Sequence, residues 1–390
     1  MDKLRRLVYS IVLILIITAF FSPAKRIHAQ DQNLTVDNNR HSADSTGLII
    51  PSDDGPYVLL QSDTSAMVID MCNGALERRI FYDKDTIYFR GFCADSGIEY
   101  MIPLMQPAVD QQVFDSVSRI FAVSDIHGDL TSLIAILRNS GVLDKNTHWS
   151  WGTGHLVIVG DIFDRGDKVT DCLWLIYRLA QEAQRAGGRV HYILGNHEPR
   201  ILGGDYRDVN EKYLSGTVPA TGLEYKELYG PKTALGQWLR TRHAAMKING
   251  MLFVHGGIGP RVIEQGISLA QINEEIRAGI DGGQVSPAVD SLRQFLLGKH
   301  GPLWYRGYIE AREGSYSRAS AADIDRVLQF YDATAIVVGH TEVPQISGLY
   351  EDRVITIDVP VEELGGLQAL LWDNGVFYRV IADGDAEPIE

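Results

Sequence analysis

Five short segments gather carboxylate, imidazole and amide groups at spacings that suit divalent cations. They are Ser124-Asp125-Ile126-His127-Gly128, Gly160-Asp161-Ile162-Phe163-Asp164-Arg165-Gly166, Gly195-Asn196-His197-Glu198, Val254-His255-Gly256-Gly257 and Val338-Gly339-His340-Thr341. Asp125 and His127 stand two apart, so at an extended strand end both side chains point to one side and can grip a single ion. Asp161 offers two carboxylate oxygens, enough to bridge two ions and to offset the repulsion between them. Asn196 adds a neutral amide oxygen, and His255 and His340 add imidazoles. An oxygen and nitrogen set without thiolate suits Mn, Fe or Zn better than copper(I) or a structural zinc site.

Two ions about 3.5–4 Å apart can share a bridging hydroxide and clamp the oxygens of an in-line displacement. Hydroxide formed in this way attacks directly, and no side-chain nucleophile is required. His197 directly follows Asn196, beside the metals and free to protonate a leaving oxygen. Asp164 can hold and charge-stabilise that imidazole. Arg165 supplies the planar fork that pairs with phosphoryl oxygens. Any one fragment alone is a weak signal, but five in this order point to hydrolysis of a phosphate ester.

Apolar runs precede the motifs. Arg119 to Ser124 reads as a buried strand, Asp129 to Asn139 as a helix, His155 to Val159 as a strand, Val169 to Ala186 as a helix and Arg189 to Leu194 as a strand. This β-α-β-α-β order predicts a mostly parallel, helix-covered sheet of the α/β class, with each motif just past the carboxyl end of its strand. Pro199 to Asn249 and Val262 to Gln329 read as longer, largely helical segments. Strands are expected again at Met251 to Val254, Ala335 to Val338, Val354 to Ile357, Gln368 to Trp372 and Val376 to Ile381. The Trp174, Leu175, Ile176 and Leu179 cluster reads as a core-facing helix stripe.

The amino-terminal third differs. Residues 47–112 carry short β-like runs at Tyr57 to Leu60, Ala66 to Ile69, Arg79 to Tyr82 and Thr86 to Phe89, separated by turn residues such as Asn73-Gly74. They predict a small antiparallel β domain without chemistry of its own. Residues 30–46 read as a polar, flexible leader. Residues 1–29 read as an export signal: basic at Lys3, Arg5 and Arg6, apolar from Leu7 to Phe21, with cleavage after Ala29. A periplasmic or secreted protein is therefore expected. The alternative is an uncleaved membrane anchor, although the apolar run is shorter than the roughly 20 residues that span a bilayer.

Net charge is -14, and without the first 29 residues 31 basic stand against 49 acidic residues, a net of -18. A surface this acidic argues against nucleic acid or anionic membrane as a general partner, and leaves an anionic substrate dependent on a local positive site. Of the cysteines, Cys72 and Cys93 can pair in an exported protein, and Cys172 falls in an apolar helical stretch as a small buried side chain.

On these motifs the chain resembles the calcineurin-like metallophosphoesterases, and within them the phosphoprotein phosphatases. That group is marked by Gly-Asp-x-His-Gly, Gly-Asp-x-Val-Asp-Arg-Gly and Gly-Asn-His-Glu, and the resemblance covers about residues 119–383. It implies a metallophosphoesterase fold of central β-sheets flanked by helices. It assigns Asp125, His127 and Asp161 to one metal, and Asp161, Asn196, His255 and His340 to the other. It makes His197 the general acid with Asp164 its partner, and Arg165 a phosphate clamp. A second clamp arginine is expected between the late histidines. Arg306 is the choice, the alternative being an arginine packed on Trp304 or Tyr305.

Ser124 stands where the group has its first Gly, Leu194 replaces an Arg before Gly-Asn-His-Glu, and no Ser-Ala-Pro-Asn-Tyr follows His340. With the export signal and the β-rich amino terminus, these departures look most like the Shewanella-like branch, whose members include secreted bacterial enzymes that favour phosphotyrosine. The implied function is a dimetal phosphomonoesterase acting on phosphoprotein. The alternatives are a hydrolase of small phosphoesters or dinucleoside polyphosphates, and a phosphate-binding module without turnover. Tyr206, Tyr213, Tyr225, Trp304 and Tyr305 are either substrate-stacking or packing residues.

Overall fold

Alternation along the central apolar runs divides the core into two clusters. Ile120 and Ala122 fall in one cluster with Val157, Val159, Phe253 and Val337, whereas Phe121, Val123, Leu156, Ile158, Val254 and Val338 fall in the other. Side chains on a strand alternate between faces, so each of these strands is buried on both sides. One face meets another sheet and the other meets helices. The structure, a computed structural model, describes residues 51, 53–92, 99–281, 287–361 and 366–389. The expected signal and leader, and Cys93 of the expected cysteine pair, lie outside the described residues.

Strands β1 (Asp53–Ser62), β2 (Ser65–Cys72) and β3 (Ala75–Tyr82) form an antiparallel sheet, and β4 (Thr86–Arg90) pairs with β5 (Glu99–Pro103). The first large sheet contains β6 (Val113–Phe114), β10 (Ala245–Ile248), β11 (Met251–Val254), β12 (Ala335–Val338), β13 (Ser347–Leu349) and β14 (Val354–Thr356), in the order β13-β14-β12-β11-β10-β6. The second contains β7 (Arg119–Val123), β8 (His155–Ile158), β9 (Arg189–Tyr192), β15 (Ala369–Asp373), β16 (Val376–Val380) and β17 (Ala386–Pro388), in the order β17-β16-β15-β7-β8-β9. Within them β7, β8 and β9 run parallel, as do β11, β12 and β14.

The expected strands are present to within a few residues, in the central β-sheets that the resemblance implies; the parallel run β7-β8-β9 is one part of a mixed sheet, and a second mixed sheet packs face to face with it. Strand β10 lies in a stretch expected to be helical. It pairs with β11 across Asn249-Gly250, whose φ values of 50° and 77° suit the two-residue turn that joins antiparallel strands.

Helix α1 (Leu130–Asn139) starts where the Asp129 side chain accepts the Ser132 N–H at 2.9 Å, relieving an otherwise unpaired donor. Helix α2 (Val169–Arg185) buries Leu173, Trp174, Ile176 and Leu179. The Leu and Ile side chains among them each contribute roughly 1.5–3 kcal/mol by leaving water. The small amino-terminal sheet packs into the same cluster through Tyr57, Val68 and Ile69. Trp174 Nε1 donates to the Pro56 carbonyl at 2.8 Å, and Leu60 N donates to the Lys232 carbonyl at 2.8 Å.

Asp70, on β2, is only 5% exposed; it accepts the Phe92 N–H, and the Arg79 guanidinium stands 3.9 Å away. Burial pushes its carboxyl up to about 6, above the value near 3.9 of an unfolded chain. The folded protein therefore binds this proton more tightly, so the associated stability is present below the unfolded value and is lost as pH rises through about 6. Asp70→Asn keeps a carbonyl acceptor and removes the charge. Its stability relative to the parent should improve by about 1–3 kcal/mol between pH 4 and pH 8 in urea unfolding. An unchanged difference at the two pH values would contradict the assignment.

Candidate active site

The motif residues converge where β7, β8, β9, β11 and β12 end. Parallel pairing brings those carboxyl ends together, although their motifs are far apart in sequence. The chain leaves the strands through left-handed backbone: φ is 53° at Asp125, 47° at His127, 55° at Asp161, 71° at Asp164, 63° at Arg165 and 65° at His340. Non-glycine residues seldom adopt this conformation, and its concentration here is strain of the kind held at functional sites. Gly195 is required by close approach, because a Cβ there would lie 2.1 Å from Asp161 Oδ1.

Asp161 is 1% exposed and central. Its Oδ2 lies 3.1 Å from His255 Nε2, 3.7 Å from His197 Nε2 and 3.9 Å from His127 Nε2. Its Oδ1 accepts the His197 N–H at 3.0 Å. Burial opposes ionisation of this carboxyl, yet the imidazoles of His255, His197 and His127 outweigh it and hold the group well below its ordinary range.

Asp161 belongs to two groups whose ligand atoms all lie within 4.8 Å of one another, one with His127 and His197, the other with His255 and His340. Asn196 Oδ1 lies 3.0 Å from His255 Nε2. Asp125 stands beside these groups, with Oδ2 accepting the His340 N–H at 2.9 Å.

The donor set fits cations. The outer ring nitrogens are oriented by the fold: His127 Nδ1 lies 2.7 Å from the Phe163 carbonyl and His255 Nδ1 2.8 Å from that of Val159. Each Nε2 is thereby left facing the cluster, the arrangement expected of metal-binding histidine. His340 Nε2 is buried without a hydrogen-bond partner among the described residues, a cost that a ligand to that nitrogen removes. Burial disfavours a charged His255, but the Asp161 and Asp125 carboxylates push its imidazole up to about 10. The pocket therefore demands positive charge at this point.

His197 and Asp164 are both buried, and His197 Nδ1 lies 2.5 Å from Asp164 Oδ2. Burial works against a protonated His197, but the Asp164 hydrogen bond and the Asp161 charge raise it above the usual imidazole range. Arg165 is exposed, its guanidinium 3.9 Å from Glu342 Oε1. Arg306 is half-buried, with Nε 4.0 Å from Glu310 Oε1 and its N–H donated to the Tyr316 hydroxyl at 3.1 Å.

Glu198 is fully buried and ties two motifs together. It accepts the Asp161, Ile162 and Gly195 N–H groups and the Tyr192 hydroxyl at 2.6–3.2 Å. Of the aromatics, Trp304 stands edge-on to His340 at 5.6 Å between ring centroids, whereas Tyr213, Tyr225 and Tyr305 are buried in packing contacts.

Two residues escaped sequence reasoning. Arg200 Nη1 lies 3.4 and 3.5 Å from the His197 ring nitrogens, and Nη2 donates to Asp208 at 2.7 Å. The signal was its position three residues after His197 on the short helix α3 (His197–Gly203), the spacing of helical neighbours. Asp358 is buried just past β14, and burial together with the Asp125 charge pushes its carboxyl well above the ordinary range. It follows the same strand-end rule as the motifs, but Ile357-Asp358-Val359-Pro360 carries no pattern that singles it out.

Known proteins share both this sequence pattern and this fold. The calcineurin-like phosphoesterase family matches residues 118–344. Shewanella-like protein phosphatase 2 of Arabidopsis thaliana is 29% identical over 303 residues, covering 66% of this chain and 75% of the relative. Shewanella-like protein phosphatase 1 of Plasmodium berghei is 30% identical over 243 residues, 62% of this chain and 66% of the relative. The crystal structure of a cold-active protein-tyrosine phosphatase of a psychrophilic Shewanella species is similar with a TM-score of 0.78 and 33% identity, over 87% of this chain and 99% of that one. The chain belongs to the calcineurin-like phosphoesterases, a family that works with two divalent metal ions, and it is a metal-dependent phosphatase.

Proposed function

We propose that the chain is an exported phosphomonoesterase that hydrolyses phosphoprotein, phosphotyrosine included, with His197 protonating the leaving oxygen. The observation that carries this reading is the Asp161 carboxylate shared between two ligand groups, one of which contains His197, the histidine hydrogen-bonded to Asp164. Asp125, His127 and Asp161 would hold one ion, and Asp161, Asn196, His255 and His340 the other. Such a pair, when bound, supplies a water-derived nucleophile at neutral pH and neutralises phosphoryl charge.

The remaining steps belong to the chain. Arg165 presents an exposed guanidinium to the phosphoryl oxygens, and Arg306 is the second candidate for that role. Asp164 receives the Nδ1 proton of His197 in its hydrogen bond, which fixes the ring and stabilises its charged form. Nε2 is then the atom that carries the proton to the leaving oxygen. Trp304, edge-on to His340, offers an apolar wall beside the phosphoryl position. Support for phosphotyrosine comes from the Shewanella relative described as a protein-tyrosine phosphatase. Support for export comes from the basic then apolar amino terminus.

Metal-stripped protein should release no phosphate from matched phosphotyrosine and phosphoserine peptides. Reloading with Mn, Fe or Zn should restore release, faster from phosphotyrosine. Restored turnover of dinucleoside polyphosphates alone would replace the phosphoprotein reading.

His197→Asn should slow hydrolysis of phenyl phosphate by about 10²–10⁴-fold. Its effect on 4-nitrophenyl phosphate should be much smaller, because 4-nitrophenolate departs without a proton. Equal losses on both esters would remove His197 from the acid role. Mass spectrometry of the protein expressed with its full amino terminus in an exporting bacterium should find Gln30 first; intact Met1 in the membrane fraction would indicate an anchor instead.

A further inference from the structure

The amino-terminal sheet contributes a buried carboxylate whose partners lie beside the active site. Asp54, on β1, is 4% exposed. Its oxygens accept hydrogen bonds from Tyr57 Oη at 2.8 Å, Thr217 Oγ1 at 2.5 Å and Thr170 Oγ1 at 3.3 Å, and Lys212 Nζ stands 3.4 Å away. Burying a carboxylate costs several kcal/mol unless donors satisfy it. Only Tyr57 among these donors belongs to the small sheet. Thr170 lies in the first turn of α2, four residues past Gly166, and Lys212 and Thr217 bound a one-turn π-helix (Lys212–Thr217). Such wide turns occur in short pieces, often at functional sites.

The segment anchored by Asp54 grips the chain at four main-chain atoms, two on Arg165 itself and two just past the Gly160-to-Gly166 motif. The Asp208 carbonyl accepts the Arg165 N–H at 2.8 Å, and Asn210 Nδ2 donates to the Arg165 carbonyl at 2.8 Å. Lys212 Nζ donates to the Asp167 carbonyl at 2.7 Å, and the Tyr213 hydroxyl accepts the Val169 N–H at 2.9 Å. The Lys212 N–H in turn donates to Asn210 Oδ1 at 3.0 Å, joining the grips to one another. Arg165 needs them. Its φ of 63° lies in left-handed space, and its side chain is 58% exposed with, among the described residues, a single carboxylate contact, 3.9 Å to Glu342. Packing does not aim this guanidinium, so its direction is set by the main chain.

We propose that Asp54 is a positioning residue for Arg165, acting through Lys212 and the π-helix, so that the amino-terminal sheet forms part of the phosphate-binding apparatus. This rests on the assignment of Arg165 to the phosphoryl group. The full chain is compared as Asp54→Asn, Lys212→Met and Arg165→Ala, and as each of the first two combined with Arg165→Ala. The measurements are 4-nitrophenyl phosphate kinetics after metal reloading, inhibition by inorganic phosphate, and thermal unfolding.

Asp54→Asn and Lys212→Met should each raise KM and the phosphate inhibition constant about three- to ten-fold, with a smaller change in kcat. Neither should add a further loss in the Arg165→Ala background. Lys212→Met carries the test if Asp54→Asn does not fold. A loss of the same factor in both backgrounds, or a lower melting temperature with unchanged KM and phosphate inhibition, would overturn the proposal while leaving the Arg165 assignment intact. If Arg165→Ala itself changes neither KM nor phosphate inhibition, that assignment fails and the positioning role fails with it.

Discussion

A single buried carboxylate sets the terms for the active site. Asp161 places one oxygen within 3.1–3.9 Å of three imidazoles and spends the other on the His197 main chain. A charge at 1% exposure is tolerable only if cationic or hydrogen-bonding groups surround it. That requirement explains the crowding: histidines from three separate strand ends meet there, and Glu198, also buried, holds the Asp161 and Gly195 turns in register through their N–H groups. The same arrangement has shared-ligand chemistry built into it, because Asp161 belongs to both ligand groups.

The fold makes this convergence rigid. Strands buried on both faces have little freedom to slide, since a one-residue slip would exchange the sandwich face with the helix face. Phe121 and Val123 would then turn toward the other sheet, and Ile120 and Ala122 toward the helices. The strand ends are therefore fixed relative to one another, and strain in the residues beyond them persists because the framework outweighs it. Six site residues with left-handed backbone illustrate the trade: local conformations costing of order 1–3 kcal/mol each are held by a far larger apolar core. Rigid strands position the candidate ligand side chains, while Arg165 lies further along its loop, where Asp208 and Asn210 bond its main chain.

Much of the fold was legible in the sequence. The apolar runs at Arg119 to Val123, Met251 to Val254 and Ala335 to Val338 are strands, and the periodic stretch at Val169 is a helix. Sheet membership was not legible, for a physical reason: a strand buried on both faces reads as a continuous apolar run, without the alternation that would mark which face meets which partner. Strand β10 announced itself only through Asn249-Gly250, a turn signal in a stretch otherwise read as helical. At the site, residue types and strand-end positions were enough to bring His127, Asp161, Asn196, His197, His255 and His340 together. Arg200 offered only its helical spacing from His197, whereas Asp54 was invisible because its partner Thr170 is set by tertiary contact more than 100 residues away.

The central claim is that Asp161 is shared by two bound ions. Its most direct test is metal content per folded chain, by inductively coupled plasma mass spectrometry after reloading and gel filtration, for the parent and for Asp161→Asn. The parent should hold close to two ions per chain and the variant fewer than one, with the fold retained by circular dichroism. Two tightly held ions in the folded variant would contradict it.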